Sequence, residues 1–347
     1  MAVLLAATYH GPPQLTPLRA FTSWTLDLPV LLVVALAGGL YLWGMRRTRG
    51  AGERWPAGRI AAFTAGLGMV VIATMSFVGV YQHVLFYIRG VQTILLLLVA
   101  PLFLALGRPL TLVLGSLPAA GRLDRVIHGQ AARVLTFPAI TTAVLVVVPF
   151  VLYFSPWYEA GLRNASIREL TYLALVMPGL VFFWTFLRMD PVPKAYPYVV
   201  TLWVSAAEVV GDAILGLAII ADNHLIAGGY YLSLGRPWGP GPRTDQVLGG
   251  GAVWVLGDLV GLPFLAAQLI QMIREDEAEA VEIDAELDAR DAALGAKDGA
   301  PGVSSQTSAA GTADAPDPAA TADPAGAPWW EGDPRFADRF RSARPDQ

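Results

Sequence analysis

The sequence contains no cysteine, which excludes disulfide bridges, thiolate-bound zinc, haem attachment through a CxxCH motif and copper carriage by thiols. A soft metal would need methionine or histidine, with carboxylates as further ligands. Histidine is itself scarce, with 4 residues in 347. The signatures GxSxG, HExxH, Walker and GxGxxG after a strand are also missing, so a membrane enzyme is the least supported class of protein.

Charge is sparse as well. Charged residues make up 15% of the chain and apolar residues 54%, whereas soluble domains carry about 25% charged residues. The net charge of −4 conceals two parts: residues 1–273 hold 17 basic and 11 acidic residues, and residues 274–347 hold 7 and 17. This division excludes both a single soluble globule and a fully disordered chain. Basic residues lie on short loops and form no patch, so no nucleic-acid partner is expected.

Long apolar stretches dominate the first part of the chain. A hydrocarbon core about 30 Å thick requires roughly 20 apolar residues per helix. Seven stretches qualify, and the predicted fold class is an all-α integral membrane protein with a seven-transmembrane-helix bundle over residues 28–273. The predicted spans are 28–45, 60–80, 91–107, 138–156, 169–187, 198–221 and 247–272.

The segments around these spans predict the orientation. Arginine-rich loops at 46–59, 108–137 and 188–197 alternate with loops that carry fewer basic residues. By the positive-inside rule, the N-terminus lies outside and the C-terminus in the cytoplasm of a plasma-membrane protein. Residues 1–27 contain one basic residue, too few for a typical signal peptide, and are expected to form an extracytoplasmic segment. Residues 109–117 predict an interfacial helix on the cytoplasmic side.

The polar end of the chain is predicted to have two parts. Residues 274–298 are rich in Ala, Glu and Leu and favour an acidic cytoplasmic helix that continues from the last span. Residues 299–347 are typical of a disordered tail. Its end carries the motif WWEGDPRFADRF (329–340), which is either a solvated terminus or a docking motif for a cytoplasmic partner.

Three acidic residues lie inside the predicted spans. Glu208 and Asp212 are four residues apart and share a helix face, and Asp258 is expected at a similar depth. Ionisable groups at this depth are costly and rare without a partner or a role. The three acids either face one cavity, where they bind a cation or relay protons, or are neutral acids that hydrogen-bond across a helix interface.

Two histidines, His83 and His224, follow spans at the predicted outer surface, and Met75 lies one to two turns below His83. Thioether and imidazole groups suit copper, although a lone surface histidine is more often a hydrogen-bonding loop residue. The predicted metal ligands are therefore Met75, His83, His224, Glu208, Asp212 and Asp258.

Four stretches resemble one family. VYQHVLFYIRGVQTILLLLVAPLFLALGRPLTL (80–112), LRNASIRELTYLALVMPGLVFFW (162–184), LGRPWGPGPRTDQVLGGG (234–251) and WVLGDLVGLP (254–263) are similar to the CtaG-type cytochrome c oxidase assembly family in its actinobacterial version. The resemblance covers residues 28–273. It implies a plasma-membrane protein that helps to mature haem–copper oxidases of the respiratory chain, with oxidase subunits as partners and copper as cargo.

The sequence departs from that family at its histidines. The family's HMxxH motif corresponds to Arg89 and Thr93, its HExxH-like set to Arg168 and Tyr172, and its sixth-span histidine to Asp212. The two arginines would repel a cation, and pairing with Glu169 would let them hold two helix ends together. The residues assigned to structure or partner docking are Arg89, Gln92, Arg168, Glu169, Asp245, Gln246 and Trp254.

The leading hypothesis is a membrane accessory factor for oxidase assembly, in either a copper-handling or a copper-independent scaffold version. The loss of the histidines favours the scaffold. The alternative is a small-solute or proton-coupled transporter with its path along the three intramembrane acids. Inverted repeats would favour transport, and no convincing internal repeat is visible in the sequence.

Overall fold

The computed structural model describes residues 9–50, 55–116, 125, 129–191 and 196–298. Within these ranges the chain is helical and contains no strand. The chain divides into two units, residues 1–284 and residues 285–347, and the second is described only as far as Asp298. The predicted disordered tail and the motif at 329–340 lie outside the described residues.

The described helices range in length from 5 residues at Phe77–Tyr81 to 57 residues at Pro242–Asp298. A π-helical turn at Leu95–Val99 lies between the helices Phe86–Ile94 and Ala100–Leu106. In chain order the helices are α1 Pro17–Thr22, α2 Leu28–Gly50, α3 Ala57–Met75, α4 Phe77–Tyr81, α5 Phe86–Ile94, α6 Ala100–Leu106, α7 Pro109–Ser116, α8 Gln130–Leu135, α9 Pro138–Tyr153, α10 Pro156–Arg163, α11 Ala165–Leu187, α12 Tyr198–Ala221, α13 Gly228–Ser233 and α14 Pro242–Asp298.

Six helical segments among the described residues are long and apolar enough to cross a membrane, and a bent pair of helices raises the number to seven. The prediction of an all-α membrane protein is thereby confirmed. Which end faces the cytoplasm remains a prediction. The six segments are Leu28–Gly50, Ala57–Tyr81, Phe86–Leu106, Ala165–Leu187, Val199–Ala221 and Pro242–Arg290.

The fourth predicted span, 138–156, corresponds to α9, which ends at Tyr153. A second helix, α10, starts at Pro156 with its axis bent by 69° from that of α9. The Ser155 side chain accepts a hydrogen bond from the Trp157 amide, and Pro156 occupies the first helical position, where its missing amide hydrogen is not needed. The bent pair of α9 and α10 together is the seventh candidate span.

The third span begins at Phe86, earlier than predicted, and widens into the π-helical turn just before Pro101. Proline removes the hydrogen bond that the Leu97 carbonyl would accept in an α-helix. Gly179 of α11 packs directly on this carbonyl, where a Cβ atom would collide with it. This glycine allows α11 to approach the π-helical turn. In contrast, Pro149, Pro178 and Pro263 do not end their helices.

The remaining predictions on segment ends concern α7 and α14. The segment predicted to be interfacial forms α7, Pro109–Ser116. The last predicted span lies within α14, which begins at Pro242 and continues through the acidic residues to Asp298. The acidic stretch is therefore helical where it is described.

Candidate functional site

The most unusual buried group is the guanidinium of Arg89. Arg89 lies on α5, and 1% of its surface is exposed. Its Nη1 donates hydrogen bonds to Gln82 Oε1 and, at 3.1 Å, to Gln92 Oε1. The guanidinium carbon lies 5.7 Å from the ring centre of Tyr158, within the range of a cation–π contact. A full charge is thus held in the bundle by neutral groups.

Both glutamine amides are oriented by further hydrogen bonds. Gln92 Nε2 donates to the Ala73 carbonyl at 2.7 Å, and Gln82 Nε2 donates to the Tyr172 hydroxyl at 2.6 Å. These bonds turn both amide oxygens towards Arg89. We call the five residues Gln82, Arg89, Gln92, Tyr158 and Tyr172 the Arg89 cluster.

The expected pairing of Arg89 with Glu169 is wrong. Among the described residues Arg89 forms no ion pair, whereas Arg168 Nη2 lies 3.7 Å from the Glu169 carboxylate beside it in sequence. The reason is geometric, because Arg89 points into the bundle and is closed off by the two glutamines. Arg168 and Glu169 are half-buried at the surface. Arg89 is therefore part of the buried polar network, whereas Arg168 pairs with Glu169 at the surface.

His83 lies at the edge of the Arg89 cluster. It lines a groove of about 530 Å³ together with Gln82, Tyr172, Arg168 and Glu169. Burial, together with the positive charges of Arg168 and Arg89, lowers the pKa of His83 from 6.5 to about 4. His83 is consequently neutral at pH 7. The same charges oppose any cation that approaches the imidazole.

The other two soft ligands lie apart from His83. Met75 is buried in the core at the end of α3. The side chain of His224 is 98% exposed in the loop after α12, where Nδ1 lies 3.4 Å from Asp222. In the described ranges no group of three or more histidine, aspartate or glutamate side chains is arranged to hold a metal ion.

The three intramembrane acids do meet. Glu208 and Asp212 are buried on α12 and face α14 at two glycines one turn apart. A Cβ atom at Gly257 would collide with the Asp212 carboxylate, and one at Gly261 would lie 3.2 Å from Glu208 Oε2. Asp258 is close enough to interact electrostatically with both acids. We call Glu208, Asp212 and Asp258 the acid seam.

Two atoms of the acid seam, Asp212 Oδ2 and Asp258 Oδ1, lack hydrogen-bond partners within the described chain. Ser205 Oγ on α12 and both amide atoms of Gln268 on α14 lack them as well. Glycine at positions 257 and 261 brings the two helix backbones together, as in other small-residue helix contacts in membranes. The acids are thus enclosed between helices and are absent from the linings of the main cavities.

Asp245 and Gln246 hold loops together. Asp245 accepts a hydrogen bond from the Tyr87 amide at 3.0 Å and pairs with Arg236 Nη2 at 3.0 Å. The Gln246 amide donates to the Ile219 carbonyl in the last turn of α12 and to the His224 carbonyl in the loop after it, and Gln246 Oε1 accepts from the Ile226 amide at 2.9 Å. Trp254 packs at Gly216 on the contact between α12 and α14.

Sequence reasoning missed several residues of these sites. Gln82, Tyr158 and Arg236 carry no motif, and their roles depend on which helices meet. One available signal was the neighbourhood of His83, since Gln82 immediately precedes that histidine. Another was the Gly/Pro-rich stretch LGRPWGPGPRTDQ, in which Arg236 and Asp245 lie nine residues apart.

The fold and these sites define a multi-span helical membrane protein with a buried polar network at one end of the bundle. The model of the cytochrome c oxidase caa3 assembly factor family matches residues 39–275, more than half of the chain. The chain belongs to this family. The family supports a role in oxidase assembly and gives no support to the transporter alternative.

Curated relatives come from mycobacteria. The chain is 28% identical to an uncharacterized protein of Mycobacterium leprae over 296 residues, which is 83% of this chain and 45% of the relative. It is also 28% identical to an uncharacterized protein of Mycobacterium tuberculosis over 291 residues, 81% of this chain and 44% of the relative. The chain thus spans less than half the length of these relatives. No solved structure matches it.

Proposed function

We propose that this protein supports the assembly of a haem–copper cytochrome c oxidase in the plasma membrane as a copper-independent scaffold. The observation that carries the proposal is the buried Arg89 guanidinium. A permanent cation occupies the buried polar network and takes the acceptor oxygens of Gln82 and Gln92. A copper ion at this position would meet a like charge in a medium that screens it poorly.

The surrounding donors support the same conclusion. His83 faces two guanidinium groups, Met75 is packed in the core, and His224 lies on a separate exposed loop. Copper favours several soft or imidazole ligands converging on one point. The acid seam offers only oxygen ligands, which suit hard cations. The donor set therefore fits docking of oxidase subunits better than carriage of copper.

The test combines copper binding with oxidase assembly. Purified full-length protein is loaded with Cu(I) under reducing conditions, dialysed, and measured by mass spectrometry for bound metal. We expect no retained copper. In a strain that lacks the gene, the His83→Ala, His224→Ala double variant should restore oxidase content as well as the wild-type protein does.

Two results would overturn the scaffold proposal. One is retention of copper that the double variant loses while it stays folded in detergent. The other is failure of the folded double variant to restore oxidase content. Normal oxidase content in the deletion strain would overturn the assembly role itself.

A further inference from the structure

The groove beside His83 continues into a second, apolar cavity. The groove and this cavity, of about 410 Å³, share the residues Pro29, Thr74, Glu169 and Tyr172. We call the first the head groove and the second the chain slot. The head groove is lined by polar and charged groups, whereas the chain slot is lined almost wholly by aliphatic side chains. Together they form one amphipathic site.

The chain slot lies between α2 and α11, with α3 as its floor. Its walls include Val33 and Ala37 of α2, Leu67 and Val70 of α3, and Leu173 and Val176 of α11. The slot extends from Thr74 to Phe63 along α3 and from Glu169 to Leu180 along α11. Eleven residues of helix correspond to about 16 Å. This length is about half of a hydrocarbon core roughly 30 Å thick, the depth of one leaflet.

The charges of the head groove form a dipolar pattern. Asp27 and Glu169 both line the head groove and interact electrostatically with each other. Arg168 lies beside them, with Nη2 at 3.7 Å from Glu169. Two adjacent carboxyl groups favour a cation between them, and the free donors of a guanidinium suit a phosphate. An ammonium and a phosphate on one ligand would match both groups.

We propose that the head groove and chain slot bind one phospholipid with an ethanolamine head group. Its ammonium lies against Asp27 and Glu169, its phosphate against Arg168, and one acyl chain in the slot. An anionic lipid without an amine, such as phosphatidylglycerol, would place only the uncharged hydroxyl groups of its glycerol beside the two carboxyl groups, with no positive charge to match them. The site is independent of the role in oxidase assembly.

Native mass spectrometry of the purified full-length protein tests the site. Delipidated protein in detergent is titrated with dioleoyl phosphatidylethanolamine and, separately, with dioleoyl phosphatidylglycerol. We expect the ethanolamine lipid to bind about tenfold more tightly, the value of one charge-assisted hydrogen bond. Glu169→Gln should remove this preference, whereas Glu159→Gln, in an exposed ion pair with Arg163, should keep it.

A second pair of variants tests the slot. Ala37→Phe fills the slot and should weaken binding of both lipids, while Leu36→Phe, at an adjacent position that is 64% exposed, should not. If Ala37→Phe unfolds, the smaller Ala37→Leu replaces it. Equal affinity for the two lipids would overturn the head-group assignment. Unchanged binding in the folded Ala37 variant would overturn the site.

Discussion

The Arg89 cluster and the acid seam solve the problem of buried charge in opposite ways. Arg89 is a cation that no described carboxylate pairs with, and amide oxygens and a tyrosine ring surround it. Glu208, Asp212 and Asp258 are acids that no described cation pairs with, and glycine backbones and each other surround them. One bundle thus keeps charges of opposite sign in separate places.

The difference shows that a buried ionisable residue is not by itself a functional site. An arginine stays charged under all ordinary conditions, so it needs acceptors that are already oriented. A carboxylic acid can carry a proton, and a neutral acid costs far less to bury than an isolated carboxylate. Oriented amides therefore bind Nη1 of the arginine, whereas no described side chain donates a hydrogen bond to Asp212 Oδ2 or Asp258 Oδ1. Nη2 of Arg89 also lacks a partner within the described chain.

The largest expected effect comes from removing the charge of the Arg89 cluster. Arg89→Met should lower the free energy of unfolding by about 3–5 kcal/mol, because Gln82 and Gln92 lose their donor in a buried place. Thermal unfolding in detergent measures this loss of stability. The control is Arg163→Met, in an exposed ion pair, which should cost less than about 1 kcal/mol. Equal effects would show that the buried network adds nothing.

A smaller effect is expected where the helices of the acid seam meet. Gly257→Ala should cost about 1–3 kcal/mol, because the added Cβ atom would collide with the Asp212 carboxylate. Gly251→Ala lies on the same helix with nothing within 4 Å of the added Cβ, so it should be neutral or slightly stabilising. If both variants unfold at the same temperature, the close approach of α12 and α14 is wrong.

The burial of His83 beside Arg168 and Arg89 should appear in the pH dependence of stability. The folded-state pKa of His83, about 4, is below its ordinary value of 6.5, so the unfolded chain binds more protons between these values. Stability is then full above pH 6.5 and falls as pH is lowered towards 4, by an amount of the order of 1 kcal/mol.

Two variants isolate this contribution of His83. His83→Asn should remove it. Arg168→Gln should make the loss of stability smaller and complete it at a higher pH, because a positive charge that lowers the folded-state pKa of His83 is gone. Unfolding curves recorded at several pH values measure both effects. An unchanged pH profile in His83→Asn would assign the pH dependence to other groups.

The smallest effect is expected from neutral replacements in the acid seam. Glu208→Gln and Asp212→Asn keep the shape of the side chains and should each change the free energy of unfolding by less than about 1 kcal/mol. If either substitution lowers the free energy of unfolding by much more than this, the acids are ionised and bind a cation. Chemical unfolding in detergent distinguishes the two results.

Much of the membrane fold could be read from the sequence, since span length and apolarity are local properties. The fourth span was predicted to end at 156, beside the bend, but the second helix that starts at Pro156 and its 69° bend were not predicted. The three acids were found from composition and from the spacing of Glu208 and Asp212. Their enclosure at Gly257 and Gly261 depended on the packing of α12 against α14.

The sequence by itself determined a cysteine-free, helical membrane protein with few soft metal ligands and an acidic end. Only the tertiary structure decided that Arg89 turns into the bundle, towards Gln82 and Gln92 in its own segment and Tyr158 on another helix, rather than towards Glu169. It also decided that Asp27 and Glu169 line one groove. The physical reason is that hydrophobic length is set along one helix. The direction in which a polar side chain turns, and what it meets there, also depends on how neighbouring helices are rotated and packed.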